Sequence, residues 1–123
     1  MKRILTALIF ISFCNAANAQ LANSTWTGTI SASGNDINIV WKLATDTSFF
    51  YNNDDNSLLD VSTYKIQDST LTLKKVSGLS SCGDENGIYK FIITGDDINL
   101  YLLKDDCTDR SDVLDKSKFV RKQ

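Results

Sequence analysis

The sequence contains no histidine, only three cysteines, one methionine and a single glutamate, Glu85. Histidine is the commonest general base and the commonest metal ligand, so its absence removes the usual routes to both chemistries. Helix formers are scarce. In residues 20–123, Ala, Glu, Met and Gln total 7, whereas Val, Ile, Thr, Tyr, Phe and Trp total 33. Branched and aromatic side chains suit a pleated surface, and this balance excludes a helical bundle. Positive charge is also in short supply, with 13 Lys and Arg against 15 Asp and Glu. Without residues 1–19, which carry Lys2 and Arg3, 11 basic residues face 15 acidic ones, a net charge of −4. An acidic chain with no basic patch is a poor nucleic-acid binder. A length of 123 residues bounds the chain to one domain.

One apolar run stands out, at the front. Met1-Lys2-Arg3 is a short cationic segment, and Ile4 to Phe13 follows as a mostly apolar stretch. It is too short to span ~30 Å of hydrocarbon. Ala17-Asn18-Ala19 puts small residues where signal peptidase needs them, so residues 1–19 read as a signal peptide cleaved before Gln20. The expected location is periplasmic or extracellular. A lipidated Cys14 is the alternative, but bulky Phe13 precedes it where a small residue is wanted. No other stretch is apolar enough to cross a membrane.

Cys82 and Cys107 remain after cleavage, and in an oxidising compartment such a pair reads as a disulfide. Between them, Gly87 to Ile93 and Asp97 to Leu103 read as two strands around Gly95-Asp96, with Gly first as a type II′ turn prefers. That register pairs Ile93 with Ile98, Phe91 with Leu100 and Tyr89 with Leu102, all on one face. The cysteines then meet at the open end of the hairpin. Closing a loop of this size is worth roughly 3.5 kcal/mol in the chain-entropy estimate. A zinc site is the alternative, and two sulfurs without histidine argue against it.

The same register test works elsewhere. A turn at Ser33-Gly34 pairs Ile30 with Ile37, Gly28 with Ile39 and Trp26 with Trp41. A turn at Asp68-Ser69 pairs Ile66 with Leu71 and Tyr64 with Leu73. Ser48 to Tyr51 is a strand of undetermined phase. Leu58 to Thr63 leads into the next strand through a bulge, because Leu59 and Val61 are out of phase with Tyr64 and Ile66. Asp109 to Leu114 predicts one or two helical turns capped by Asp109, and Lys118 to Arg121 a last strand. Eight antiparallel strands with short connections predict a closed up-and-down barrel, with a short helical turn before the last strand. A two-sheet sandwich is the alternative, and would need long crossovers.

The stretch Cys82…Gly87-Ile88-Tyr89-Lys90-Phe91…Gly95-Asp96…Asp106-Cys107-Thr108-Asp109-Arg110…Phe119 resembles the C-terminal half of small secreted bacterial lipocalin-like (calycin-like) domains. Ser24-Thr25-Trp26 is similar to the G-x-W opening of lipocalins, with Ser24 where Gly is usual, and the T-D-x-x-Y motif is absent. The resemblance implies an eight-stranded barrel, open at one end, that binds a small apolar molecule. It also implies that Trp26 closes the floor with a late Arg packed across it. Arg121 is the first match for that Arg and Arg110 the second.

The inward set is the candidate cavity wall: Trp26, Ile39, Trp41, Tyr64, Leu71, Leu73, Tyr89, Phe91, Leu100 and Leu102. Apolar walls with a few polar tips are how small-molecule sites are built. Here Tyr64, Tyr89, Trp26 or Trp41 would orient the ligand. The opposing expectation is a filled core, with the loops at Ser33-Gly34, Asn52 to Ser57 and Cys107 to Lys116 binding a protein as inhibitors do. A void of ~300 Å³ or more favours the ligand. Asp60, on the fourth strand where the phase is undetermined, is a carboxylate that would be notable if it pointed inward. Asn52 to Asn56 invites a calcium reading, but an EF-hand loop would need Gly and Glu where Ser57 and Thr63 stand. No nucleophile is matched with a base, so the expectation is no enzyme, no cofactor and no metal.

Overall fold

The computed structural model describes residues 20–123; residues 1–19, which the sequence pattern reads as a signal peptide, lie outside them. Alternating apolar residues build eight strands: β1 (Ser24–Ala32), β2 (Asn35–Leu43), β3 (Thr47–Asn52), β4 (Leu58–Gln67), β5 (Thr70–Gly78), β6 (Asn86–Thr94), β7 (Asp97–Asp105) and β8 (Lys118–Arg121). One helix, α1 (Thr108–Leu114), precedes β8. Each strand pairs antiparallel with the next, and β8 returns to β1, so the sheet closes into a barrel and the sandwich is excluded. No helix among the described residues is long and apolar enough to cross a membrane.

The registers follow the sequence pattern. Trp26 faces Trp41, Ile30 faces Ile37, Tyr64 faces Leu73 and Phe91 faces Leu100. Ser33 and Gly34 both take positive φ, at 53° and 79°, as a two-residue hairpin turn whose twist matches its strands requires. Gly95 turns at φ 62°. On β3 the inward residues are Ser48, which is fully buried, and Phe50, which stacks on Trp41 at 5.4 Å.

Three bulges shape one end of the barrel, one of them leaving Val76 as the extra residue of β5 between the pairs Val61–Ser77 and Ser62–Lys75. Phe50 pairs with Asp60 and Tyr51 with Leu58, which leaves Leu59 as the extra residue. Tyr89 pairs with Leu102 and Ile88 with Lys104, which leaves Leu103 as the extra residue of β7. The bulge at Leu103 carries a correction. Leu102 pairs with Tyr89, but it is 37% exposed and is no cavity wall. Beyond the bulge it is Asp105, not Leu102, that takes up the inner side, where its side chain is fully buried. Strand β8 pairs β7 only at Asp97 to Asn99, so Leu102 has no strand on its other side.

The shortness of β8 explains the helix. Four residues cover only the lower part of the seam, at Trp26 and Thr27 on β1. Helix α1 packs on both β1 and β7 above them, burying Arg110, Ser111 and Leu114. Its N-cap is Cys107; Asp109 lies in the first turn, where its carboxylate accepts from the Ser81 amide at 2.8 Å and the Ser81 hydroxyl at 2.7 Å. Asp109 is thus a tie between two loops and not the cap that the sequence pattern suggested. Cys107 is joined to Cys82, with Cα atoms 5.4 Å apart, which anchors the start of the helix to the β5–β6 loop.

Candidate functional site

The two ends of the barrel differ. At the floor, Leu21 and Trp26 are fully buried, and the Arg121 guanidinium sits 4.3 Å from the centre of the Trp26 ring. Arg121 Nη2 also donates to the Gln20 carbonyl at 3.0 Å. Above this plug lies a packed layer. Trp41 contacts Phe50 and, at 5.2 Å, Phe119. Phe119 reaches across the seam over Gly28, where a Cβ would stand only 2.6 Å from its ring, so only glycine admits it.

The other end is hollow. A cavity of about 550 Å³ opens there, lined on the strands by Ile30, Ile37, Ile39, Phe50, Leu59, Asp60, Ser62 and Leu73. Ser31, Ala32 and Ser33 at the first hairpin turn, Leu79 and Ser80 from the β5–β6 loop, and Asp109, Arg110, Asp112, Val113 and Leu114 from α1 complete it. Neighbouring residues of a strand ordinarily face opposite ways, yet Leu59 and Asp60 both line the cavity. The bulge at Leu59 makes this possible.

The inward set therefore divides. Ile39 and Leu73 line the cavity. Trp26, Trp41, Tyr64, Leu71, Tyr89, Phe91 and Leu100 belong to the buried core beneath and beside it. The large rings fill the lower barrel, so the space left over is displaced toward the mouth, where Ile and Leu take their place.

The expected orienting groups are also spent elsewhere. Trp26 Nε1 donates to Ser24 Oγ at 2.7 Å and Trp41 Nε1 to Ser48 Oγ at 2.8 Å. The Tyr64 hydroxyl donates to the Ala44 carbonyl in the floor turn, and burial raises its pKa. The Tyr89 hydroxyl donates to Asp105 Oδ2 at 2.5 Å; burial, and then the neighbouring carboxylate, push its pKa far up. None of the four polar tips serves the cavity.

In their place stands a cluster built from Arg110. Its Nε donates to Asp105 Oδ2 at 2.6 Å and its Nη2 to Asp105 Oδ1 at 2.8 Å. Nη2 also donates to the Glu85 carbonyl at 3.0 Å. The fork lies against Gly87, where a Cβ would come within 2.5 Å of Arg110 Nε, so the site depends on that glycine. Burial pushes the Asp105 carboxyl up, but hydrogen bonds from Arg110, Tyr89 and the Cys107 amide outweigh it and hold it below the usual carboxylate range. Burial alone would lower the Arg110 pKa, and Asp105 more than reverses that. The third nitrogen, Nη1, is buried and has no hydrogen-bond partner.

Asp60 lines the cavity from β4. Its carboxylate accepts from the Ser80 hydroxyl at 3.1 Å, and burial raises its pKa above the usual value. Elsewhere, Glu85 lies within 4.8 Å of Cys82 and Cys107, but the two sulfurs are bonded to each other and hold no lone thiolate for a metal. The turn at Asn52 to Ser57 is closed by its own side chains, with Asn52 Oδ1 accepting from the Asp54 amide and Asp55 Oδ1 from the Ser57 amide.

Fold and site together define a closed eight-stranded antiparallel barrel, plugged at one end and hollow at the other. Compared with protein families, curated proteins and solved structures, the chain finds no match.

Proposed function

We propose that the chain is an exported binding protein of lipocalin-like type that holds a small apolar ligand in the mouth of its barrel. The observation that carries this reading is the cavity of about 550 Å³ over a packed floor, within the range of ~300–1,000 Å³ in which small-molecule sites fall. Half of its lining residues are Ile, Leu, Val or Phe, and Ser, Asp and Arg side chains make up nearly all of the rest. Binding would bury apolar surface, at ~25 cal/mol per Å² removed from water. Export is supported by the Cys82–Cys107 disulfide and by the cationic-apolar start of the sequence, with cleavage before Gln20. Tryptophan emission offers the test, because Trp41 stacks on Phe50 and Phe50 lines the cavity. Titration with fatty alcohols, fatty acids, retinoids and haem should shift it for at least one class. A flat response across that panel refutes the reading.

A second reading has its own observation. Leu58, Val76 and Leu79 are 47%, 63% and 79% exposed, and all three belong to the mouth end. Apolar side chains left in water around a rim suit contact with a protein, as in a secreted inhibitor. Charged substitutions at Leu58 and Val76, neither of which lines the cavity, should abolish such a complex and leave the uptake of a small ligand within the barrel unchanged.

A further inference from the structure

We propose that the cavity selects a neutral ligand, an apolar chain ending in a hydroxyl or primary amide, with its polar end held between Arg110 Nη1 and Asp60. This rests on the reading of the mouth as a ligand site and specifies the head group it takes.

The argument is one of charge and of unmet hydrogen bonds. Arg110 lines the cavity, and its side chain is only 5% exposed. Two corners of the planar fork are engaged by Asp105 and the Glu85 carbonyl. Nη1 points away from Asp105 by the geometry of the fork, and is the one buried side-chain nitrogen or oxygen without a partner among the described residues. A buried charged donor left unpaired costs free energy that an acceptor recovers. The site therefore asks for an oxygen.

An anionic oxygen is the wrong one. The Arg110 charge is already matched by Asp105, whose side chain is fully buried against it. Asp60, Asp109 and Asp112 also line the cavity and leave it net negative. A carboxylate head would meet like charges at short range in a half-desolvated space. A cationic head would suit Asp60 but would leave Nη1 unpartnered and face the guanidinium. A hydroxyl or amide both accepts and donates. It can accept a hydrogen bond from Nη1 and donate one to the Asp60 carboxylate, with no net charge carried into the cavity.

Three probes of one chain length separate the cases: 1-dodecanol, dodecanoic acid and dodecylamine, titrated calorimetrically into the disulfide-bonded protein at pH 7, below their aggregation concentrations. The alcohol should bind at least tenfold more tightly than either charged probe, the size of one charge-assisted hydrogen bond. Arg110→Lys keeps a cation for Asp105 but loses the fork, and should remove most of the alcohol's advantage while the circular dichroism of the barrel is retained. Asp60→Asn gives an independent reading, because it removes a facing negative charge and a charged acceptor at once: it should raise the affinity for dodecanoic acid severalfold and weaken that for the alcohol. Equal affinities for the three probes, or tightest binding of the acid, overturn the head-group assignment and leave the cavity reading standing. Binding of none of the three overturns both.

Discussion

Removing Arg110 should expose how much of the mouth depends on a single buried ion pair. Arg110 and Asp105 side chains are 5% and 0% exposed, and their two direct hydrogen bonds are 2.6 and 2.8 Å long. Losing one partner of such a pair strands the other charge, at about 3–5 kcal/mol. Arg110→Met keeps the length of the side chain and leaves Asp105 with only the Tyr89 hydroxyl and the Cys107 amide. We expect a loss of about 3–5 kcal/mol at pH 7, read from urea unfolding followed by circular dichroism. The pH dependence fixes the cause. In the native protein the Asp105 pKa is depressed, so its contribution is present above the unfolded value of about 4 and disappears as pH falls through the folded value. In the variant the same carboxyl is buried without its cation, so ionisation works against folding. The gap between the two proteins should therefore be widest near neutrality and narrow below pH ~4. Arg110→Met with Asp105→Asn should recover much of the loss, because no stranded charge remains. A gap below about 1 kcal/mol, a gap independent of pH, or a double variant no better than the single one refutes the reasoning.

Ile39→Trp should fill the cavity from its wall and abolish the fluorescence response to every ligand, at a stability cost of no more than ~1–3 kcal/mol. Ligand uptake by that variant, measured by titration, would show that the space is not the binding site. Replacing Cys82 and Cys107 together by Ser should cost roughly 3.5 kcal/mol in thermal or urea unfolding while the far-ultraviolet β signal persists. The raised Asp60 pKa has the opposite sign to that of Asp105: its contribution is present at low pH and lost as pH rises through the folded value. Asp60→Asn should therefore be more stable than the parent at pH 7 and lose that advantage near pH 4, as melting curves across that range will show.

The sequence makes the barrel legible because antiparallel hairpins are local. Trp26 opposite Trp41, Tyr64 opposite Leu73 and Ile93 opposite Ile98 each follow from a turn and an alternation, with no knowledge of the rest of the chain. The disulfide follows in the same way, from two cysteines placed at the open end of one hairpin. What alternation cannot say is how far along each strand the interior is filled. Ile39 and Trp41 share a face of β2, yet one lines the cavity and the other belongs to the layer below. The second limit is the bulge. One extra residue at Leu103 turns Asp105 inward and leaves Leu102 in water, and one at Leu59 adds both Leu59 and Asp60 to the cavity. Arg110 lay further out of reach, since a charged residue in a short helix reads as surface. Its signal was Gly87, a glycine within a run of strand formers, which marks a place where something packs close against the backbone.

The Arg121–Gln20 contact brings the two points at which the chain enters and leaves the barrel side by side at the plugged end. Anything attached at either point, whether a fusion, an immobilising tag or a tether to a larger surface, would hold the protein by its base with the opening turned outward. Attachment of this kind should leave the rim unobstructed, whereas a graft into the Ser33-Gly34 turn would hang over the entrance itself.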